Sequence, residues 1–284
     1  MAGETERCRS EWAEFRTPLH GQISDEYLLQ HPSNGKQYTH DLNRIRDFFI
    51  KKVALSSSST SLDKDYIAVA VVDQTWELTF CKKGDEAWTV IKDALGYCED
   101  VIHYKNLFYA VNREGSLAIC DVISDLSPLV TVLAPPLPVV SHVTELVVIP
   151  YLVDSFWVLL LVKRYLELVD GLEFESLGFK TVGFDISRLD SSIPKWVEVK
   201  SLGDHMLFLG TNSSLCLLAT EFSGCEGNCI YFTVSYNAGH YVGSWNYDTG
   251  VFNVGDGSIK PLANCTGYFG LSFTPPVWVT PNPC

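Results

Sequence analysis

Between residues 97 and 137 the apolar and aromatic residues gather into four short runs, each closed by a polar or glycine-bearing turn. Val101-Ile102 and the run 107–111 are separated by Lys105-Asn106, the kind of polar pair that closes a two-residue hairpin. Asn112-Arg113-Glu114-Gly115 turns the chain again into a third run over 116–122. A fourth, edge-like run over 129–133 stops before Pro135-Pro136, where proline ends a ladder because it has no N–H to donate. Four antiparallel strands in about forty residues make one blade of a β-propeller.

The rest of the chain can be laid beside that unit. Residues 66–72, 76–82 and 88–91 alternate as three strands, with Gly84-Asp85-Glu86 as a turn; this unit shows no clear first strand of its own. Residues 48–55 read as a separate strand, followed by the serine run Ser56 to Ser61, a loop composition. A third unit comprises 145–149, 156–162, 181–186 and 196–199, with an insertion over 167–178. The fourth comprises 205–210, 214–219, 228–234 and 251–254, then a Gly255-Asp256-Gly257-Ser258 turn into 259–262. Two units end alike, in Trp88-Thr89-Val90-Ile91 and Trp196-Val197-Glu198-Val199, as expected of an outer strand half covered by the next blade. Trp278-Val279-Thr280 fits one further closing strand.

Residues 1–47 carry little pattern. The stretch 7–16 reads as a short helix ended before Pro18, and 22–46 is polar, with a turn at His31-Pro32-Ser33-Asn34-Gly35 and one weak strand over 36–42. The expected fold is therefore all-β: a propeller of four-stranded antiparallel blades over 48–284, behind an N-terminal segment 1–47 with a short helical remnant. The pattern leaves the number of blades and the closure of the ring open.

Composition agrees with a β-rich globular chain: 46% hydrophobic and 12% aromatic residues with only two Met do not suit a coiled coil or a disordered chain. The net charge of −13 repels phosphate backbones and anionic lipid, so neither nucleic acid nor a membrane is an expected partner. Lys51-Lys52, Lys82-Lys83 and Lys163-Arg164 are read as solvated strand ends. The apolar stretch 143–162 contains Glu145, Pro150 and Asp154, which suits two buried strands better than a membrane span. Nine cysteines without a repeated spacing, behind an N-terminus lacking a signal-peptide pattern, indicate reduced thiols in the cytoplasm or nucleus. Cys98, Cys120, Cys216 and Cys229 lie in or beside strands, where cysteine acts as a small hydrophobe. Asn212-Ser213-Ser214 and Asn264-Cys265-Thr266 fit a glycosylation pattern but are expected to stay unmodified in that compartment.

No catalytic constellation emerges. The seven histidines show no metal spacing, and there is neither a phosphate-binding glycine loop nor a nucleophile elbow. Cys225 and Cys229 are the only close thiol pair; a zinc site would need two more ligands, with His240 and Cys265 as candidates, against the plainer reading of a strand-connecting loop. Asp63 with Asp65, and Asp100 with Asp121, are candidate carboxylate pairs, although propeller turns use Asp for local backbone bonds. No catalytic, cofactor-binding or metal residue is assigned, no cofactor is expected, and the chain is read as a non-enzyme.

The segments FIKKVALSSSSTSLDKDYIAVAV, KKGDEAWTVI, DVIHYKNLFYAVNREGSLAICDV, PKWVEVKSLGDHMLFLGTNSSLCL, GCEGNCIYFTV, GVFNVGDGSIKPL and PPVWVTPNP closely resemble, in order, plant F-box proteins whose C-terminal part is a KIB-type β-propeller, formerly domain of unknown function 295. The resemblance covers residues 48–283. It implies a non-catalytic adaptor that holds a protein substrate on the propeller while an F-box docks on a Skp1-type subunit of a ubiquitin ligase. Only Arg7-Cys8-Arg9-Ser10-Glu11-Trp12 resembles the end of an F-box, so the N-terminal segment is expected to be a remnant. The alternatives are an F-box-less propeller that binds a partner without a ligase and, more remotely, a propeller hydrolase. A hydrolase of that kind would show a deep pocket with convergent polar groups.

Overall fold

The structure is a computed structural model that describes residues 50–56, 66–72, 77–123, 128–137, 146–156, 158–170, 177–190, 192–233 and 248–262, with backbone alone for 26–30, 37–41, 169–170 and 177–178. The first two strands, β1 (Glu26–Gln30) and β2 (Gln37–Asp41), form a two-stranded antiparallel sheet. β2 matches the weak strand expected over 36–42, whereas β1 comes from a segment read as polar coil. Its Tyr-Leu-Leu core is too short to stand out, and only pairing with β2 makes it a strand. The helix expected over 7–16 and the strand at Trp278 lie outside the described residues.

Among the described residues four larger sheets follow in chain order and constitute blades. Blade one is β3 (Ile50–Leu55), β4 (Ile67–Val72), β5 (Glu77–Lys82) and β6 (Thr89–Val90). Its missing first strand is thus β3, which the sequence shows as a separate element because the serine-rich stretch intervenes. Blade two is β7 (Asp100–Tyr104), β8 (Leu107–Val111), β9 (Leu117–Asp121) and β10 (Leu129–Ala134), close to the expected runs. Lys105 and Asn106 both take positive φ, 47° and 64°, as the two-residue hairpin between β7 and β8 requires.

Blade three is β11 (Val147–Ser155), β12 (Val158–Asp170), β13 (Leu177–Asp190) and β14 (Lys195–Glu198). The insertion expected over 167–178 is mostly a continuation of the β12–β13 hairpin, which stays in register out to Asp170 opposite Leu177. Blade four holds β15 (His205–Leu209), β16 (Ser214–Leu218), β17 (Cys229–Phe232), β18 (Gly250–Asn253) and β19 (Ile259–Pro261), in the order β16-β15-β17-β18-β19. It differs from the other three: it has a fifth strand, and β15 pairs with β17 in parallel. The chain enters this blade one position out, turns inward to β16, and crosses to β17 through the 3-10 turn Ala219–Glu221.

The inner strands are β3, β7, β11 and β16, each packed against the next. Alternating side chains then key successive blades together. Phe108 and Ala110 of β8 meet Val69, Val71 and Leu78 of blade one. The intervening Tyr109 and Val111 meet Leu159 and Leu161 of blade three. Leu160 and Val162, again the alternate positions, meet Leu207, Leu209, Ile230 and Phe232 of blade four. Each blade is a two-faced strip, which is why the apolar runs of β8 and β12 are almost continuous. Cys98, Cys120, Cys216 and Cys229 are buried in these layers, and burial pushes the Cys120 thiol up to about 12. No helix among the described residues is long and apolar enough to cross a membrane, and 143–162 supplies parts of two strands instead.

Candidate functional site

Where the inner strands begin, charge is used to hold blades together. Lys52 Nζ lies 2.6 Å from Asp100 Oδ1, with both side chains buried. Asp100 also accepts hydrogen bonds from Val101 N at 2.8 Å and Leu152 N at 2.7 Å, so one carboxylate joins blades one, two and three. Buried charges persist when paired and hydrogen-bonded in this way. Glu99 similarly receives Lys51 at 3.2 Å and Arg113 at 3.5 Å. Lys51 and Lys52, expected as a solvated strand end, are thus inter-blade links.

Between blades three and four sits a second node. Arg164, 1% exposed, donates from Nε to Thr181 Oγ1 at 2.7 Å, from Nη1 to Thr233 O at 2.6 Å and from Nη2 to Asp248 Oδ2 at 2.8 Å. Its guanidinium stacks 4.6 Å from the Phe232 ring centroid. Asp248 completes the node by accepting Thr181 N and Oγ1. Four of the five guanidinium N–H groups are spent on acceptors of blades three and four, so the node acts as a clamp between them.

The opposite rim, where β7 and β11 end, is different. Three turns from three successive blades converge there. Lys105, in the β7–β8 turn, sits 5.0 Å from the Tyr104 ring centroid, and Tyr104 meets Tyr109 edge-on at 6.0 Å. Lys105 interacts electrostatically with Asp154 near the end of β11. Phe156, just beyond β11, packs its ring 5.8 Å from the His205 imidazole at the start of β15.

The exposed ring of Phe156 sets this rim apart. Ser155 pairs with Val158, so the β11–β12 turn is two residues long, and Phe156 takes φ 49° within it. As at Lys105, the two-residue hairpin itself requires this left-handed φ, at a cost of about 1–3 kcal/mol for a residue with a side chain. The ring is also 55% exposed, so burial does not compensate for that cost. The sequence pattern places Phe156 inside a strand; the signal for a turn is the Asp154-Ser155 pair that interrupts the apolar run. Desolvation raises the Asp154 carboxyl above its ordinary range despite the Lys105 charge, and desolvation likewise raises the Tyr109 phenol. Hydrogen bonding to Tyr104 raises the exposed Lys105 ammonium.

The other chemistry weighed from sequence does not assemble. Asp100 pairs opposite Val111 at the start of β7, whereas Asp121 ends β9 beyond Cys120, which pairs with Phe108 near the other end of β8. The two carboxylates therefore sit at opposite ends of blade two. Cys225 and Cys229 are reduced thiols packed with Tyr231, and no group of three or more potential metal ligands gathers among the described residues. Asp63, Asp65, His240 and Cys265 lie outside the described residues.

Known proteins sharpen this picture. The family model for the KIB1-4 beta-propeller matches residues 13–253. F-box protein SKIP23 of Arabidopsis thaliana is 30% identical over 77% of this chain and 55% of its own length. F-box protein At2g26160 of the same plant is 29% identical over 78% of this chain and 61% of its own length. The chain thus spans little more than half the length of these relatives. No solved structure matches it. Four keyed blades and a family match covering most of their strands lead to one conclusion: this chain belongs to the KIB1-4 β-propeller family.

Proposed function

We propose that this protein is a non-catalytic interaction module that holds a protein substrate on the rim bearing Lys105, Phe156 and His205, as the substrate-recognition propeller of a ubiquitin-ligase adaptor. The carrying observation is the convergence of those three side chains from three blades, with an exposed Phe kept in a costly conformation. Aromatic side chains beside a cation suit a protein surface, where they anchor contact area at low entropic cost. The relatives' names as F-box proteins support the ligase context. On this reading residues 48–284 form the substrate-holding domain, residues 1–47 serve the ligase side through a Skp1-type subunit, and the protein works in the cytoplasm or nucleus.

The test is co-purification with a plant Skp1-type protein, beside a version lacking residues 1–20. Binding by the full chain alone supports the adaptor reading. If neither binds while both melt cooperatively, the ligase role fails and a stand-alone propeller remains. Phe156→Ser tests the rim separately: it should abolish capture of substrate without changing Skp1 binding.

A further inference from the structure

Blade four ends, on the same rim, in a loop stitched tightly to its surroundings. Asn228 donates its N–H to His205 O at 2.8 Å, accepts Val254 N at 2.9 Å on its carbonyl, and accepts Leu202 N at 2.8 Å on Oδ1. It takes φ 57°, which reverses the chain just before β17. At Gly227 an added Cβ would come within 3.0 Å of Gly203 O, so the loop lies directly on the backbone of 203–204. The two central residues of the segment Cys225-Glu226-Gly227-Asn228-Cys229 nearest to β17 are thus fixed.

The cysteines at either end of this segment share one neighbour. Both pack in the apolar cluster around Tyr231, Cys229 at 1% exposure and Cys225 half-buried. Glu226 N donates to the Tyr231 hydroxyl at 2.8 Å, which holds the residue after Cys225 against that ring. Both thiols are reduced. A fixed turn thus brings one half-buried and one buried thiol into a single apolar cluster four residues apart, as an attacking and a resolving cysteine require.

We propose that Cys225 and Cys229 form a dithiol that closes to an intramolecular disulfide when hydrogen peroxide reaches Cys225. The Cys225 thiolate attacks one peroxide oxygen, the O–O bond breaks, and a sulfenic acid forms with release of one water. The Cys229 sulfur then attacks the Cys225 sulfur, the S–O bond breaks, and a second water leaves. Two thiols lose two electrons and two protons, and the peroxide is reduced to two waters. Burial, helped by the Glu226 carboxylate, pushes the Cys229 thiol up, which leaves the first step to Cys225. The loop adjoins the candidate docking rim through the Asn228–His205 bond, but the chemistry does not depend on that rim binding anything.

The experiment treats the full chain with hydrogen peroxide, removes the peroxide, blocks remaining thiols with iodoacetamide in guanidinium chloride so that the buried Cys229 is reached, and maps peptides by mass spectrometry without reductant. The expected product is one peptide carrying both cysteines, two hydrogen masses lighter and unalkylated, which becomes doubly alkylated after dithiothreitol. In Cys229→Ser, Cys225 should instead be trapped by a dimedone probe as sulfenic acid. The proposal is overturned if Cys229 remains alkylatable while Cys225 is overoxidised or capped, or if both remain alkylatable at peroxide levels that oxidise the half-buried Cys81. Because the wild-type map decides alone, a variant that misfolds leaves the outcome intact.

Discussion

At the outer edge of blade three Trp196 is 8% exposed and its indole donates to Gly115 O at 2.8 Å; at the outer edge of blade one Trp88 is 45% exposed. The strands that carry them differ in what stands opposite. Gly115, in the β8–β9 turn of blade two, has φ 90°, and a Cβ there would come within 2.9 Å of Lys163 Cε and 3.0 Å of Leu161 Cδ2. That close approach brings a backbone carbonyl to the indole N–H and places the ring in the cluster of Leu117, Leu152 and Leu161. Only a residue without a side chain lets the turn come so near. The outer strand of blade one, two residues long and exposed at both, has no comparable neighbour among the described residues. A tryptophan at the end of a unit therefore packs only where a neighbouring blade reaches it, and for Trp196 that neighbour is the preceding blade, not the next one that the alternation suggests.

The largest consequence is for Trp196. Trp196→Ala should cost about 3–5 kcal/mol, read as a lowered urea midpoint at unchanged slope. A loss under about 1 kcal/mol would show that the indole is not seated between blades two and three. Next comes its partner: Gly115→Ala should cost about 1–3 kcal/mol through strain and crowding against Lys163 and Leu161. If this variant is neutral, the turn has room to give and the close approach does not explain the contrast. Trp88→Ala should cost less, about 1–2 kcal/mol, because the residue is already 45% exposed to water. Equal losses at Trp88 and Trp196 would erase the distinction between the two edges.

The smallest effect concerns the interface of blades one and two. His103 packs its ring 5.0 Å from Phe108, and desolvation holds the imidazole below its ordinary value. The unfolded chain then takes up the proton first as pH falls. The stability tied to the neutral ring is complete above about pH 6.5 and declines as pH drops toward the lower folded value. His103→Gln should flatten this dependence between about pH 7.5 and 5.5, by a modest amount since the ring is only partly buried. Identical pH profiles for the two proteins would place the sensitivity elsewhere.

Much of this architecture is legible in sequence. β7 to β10 fall close to where alternation and turn chemistry place them, and Lys105-Asn106 closes the hairpin that its residue types suggest. These features are local: a period of two and a preference for positive φ act within a few residues. The candidate rim was less legible. Lys105 stood out, but Phe156 looked like strand and His205 like any strand start, because nothing in their own segments says that three blades bring them together.

Determined by sequence alone are the all-β character, the blade-sized spacing of turns and the family, since each rests on side-chain alternation and residues read in order. Only the tertiary structure decided that Lys52 pairs with Asp100, that Arg164 clamps the fourth blade, that β17 pairs in parallel with β15, and that one of two like tryptophans is buried. The physical reason is common to all four. Each outcome depends on which backbone or charge arrives from 48 or more residues away, or from a strand out of order, and no local pattern encodes that arrival.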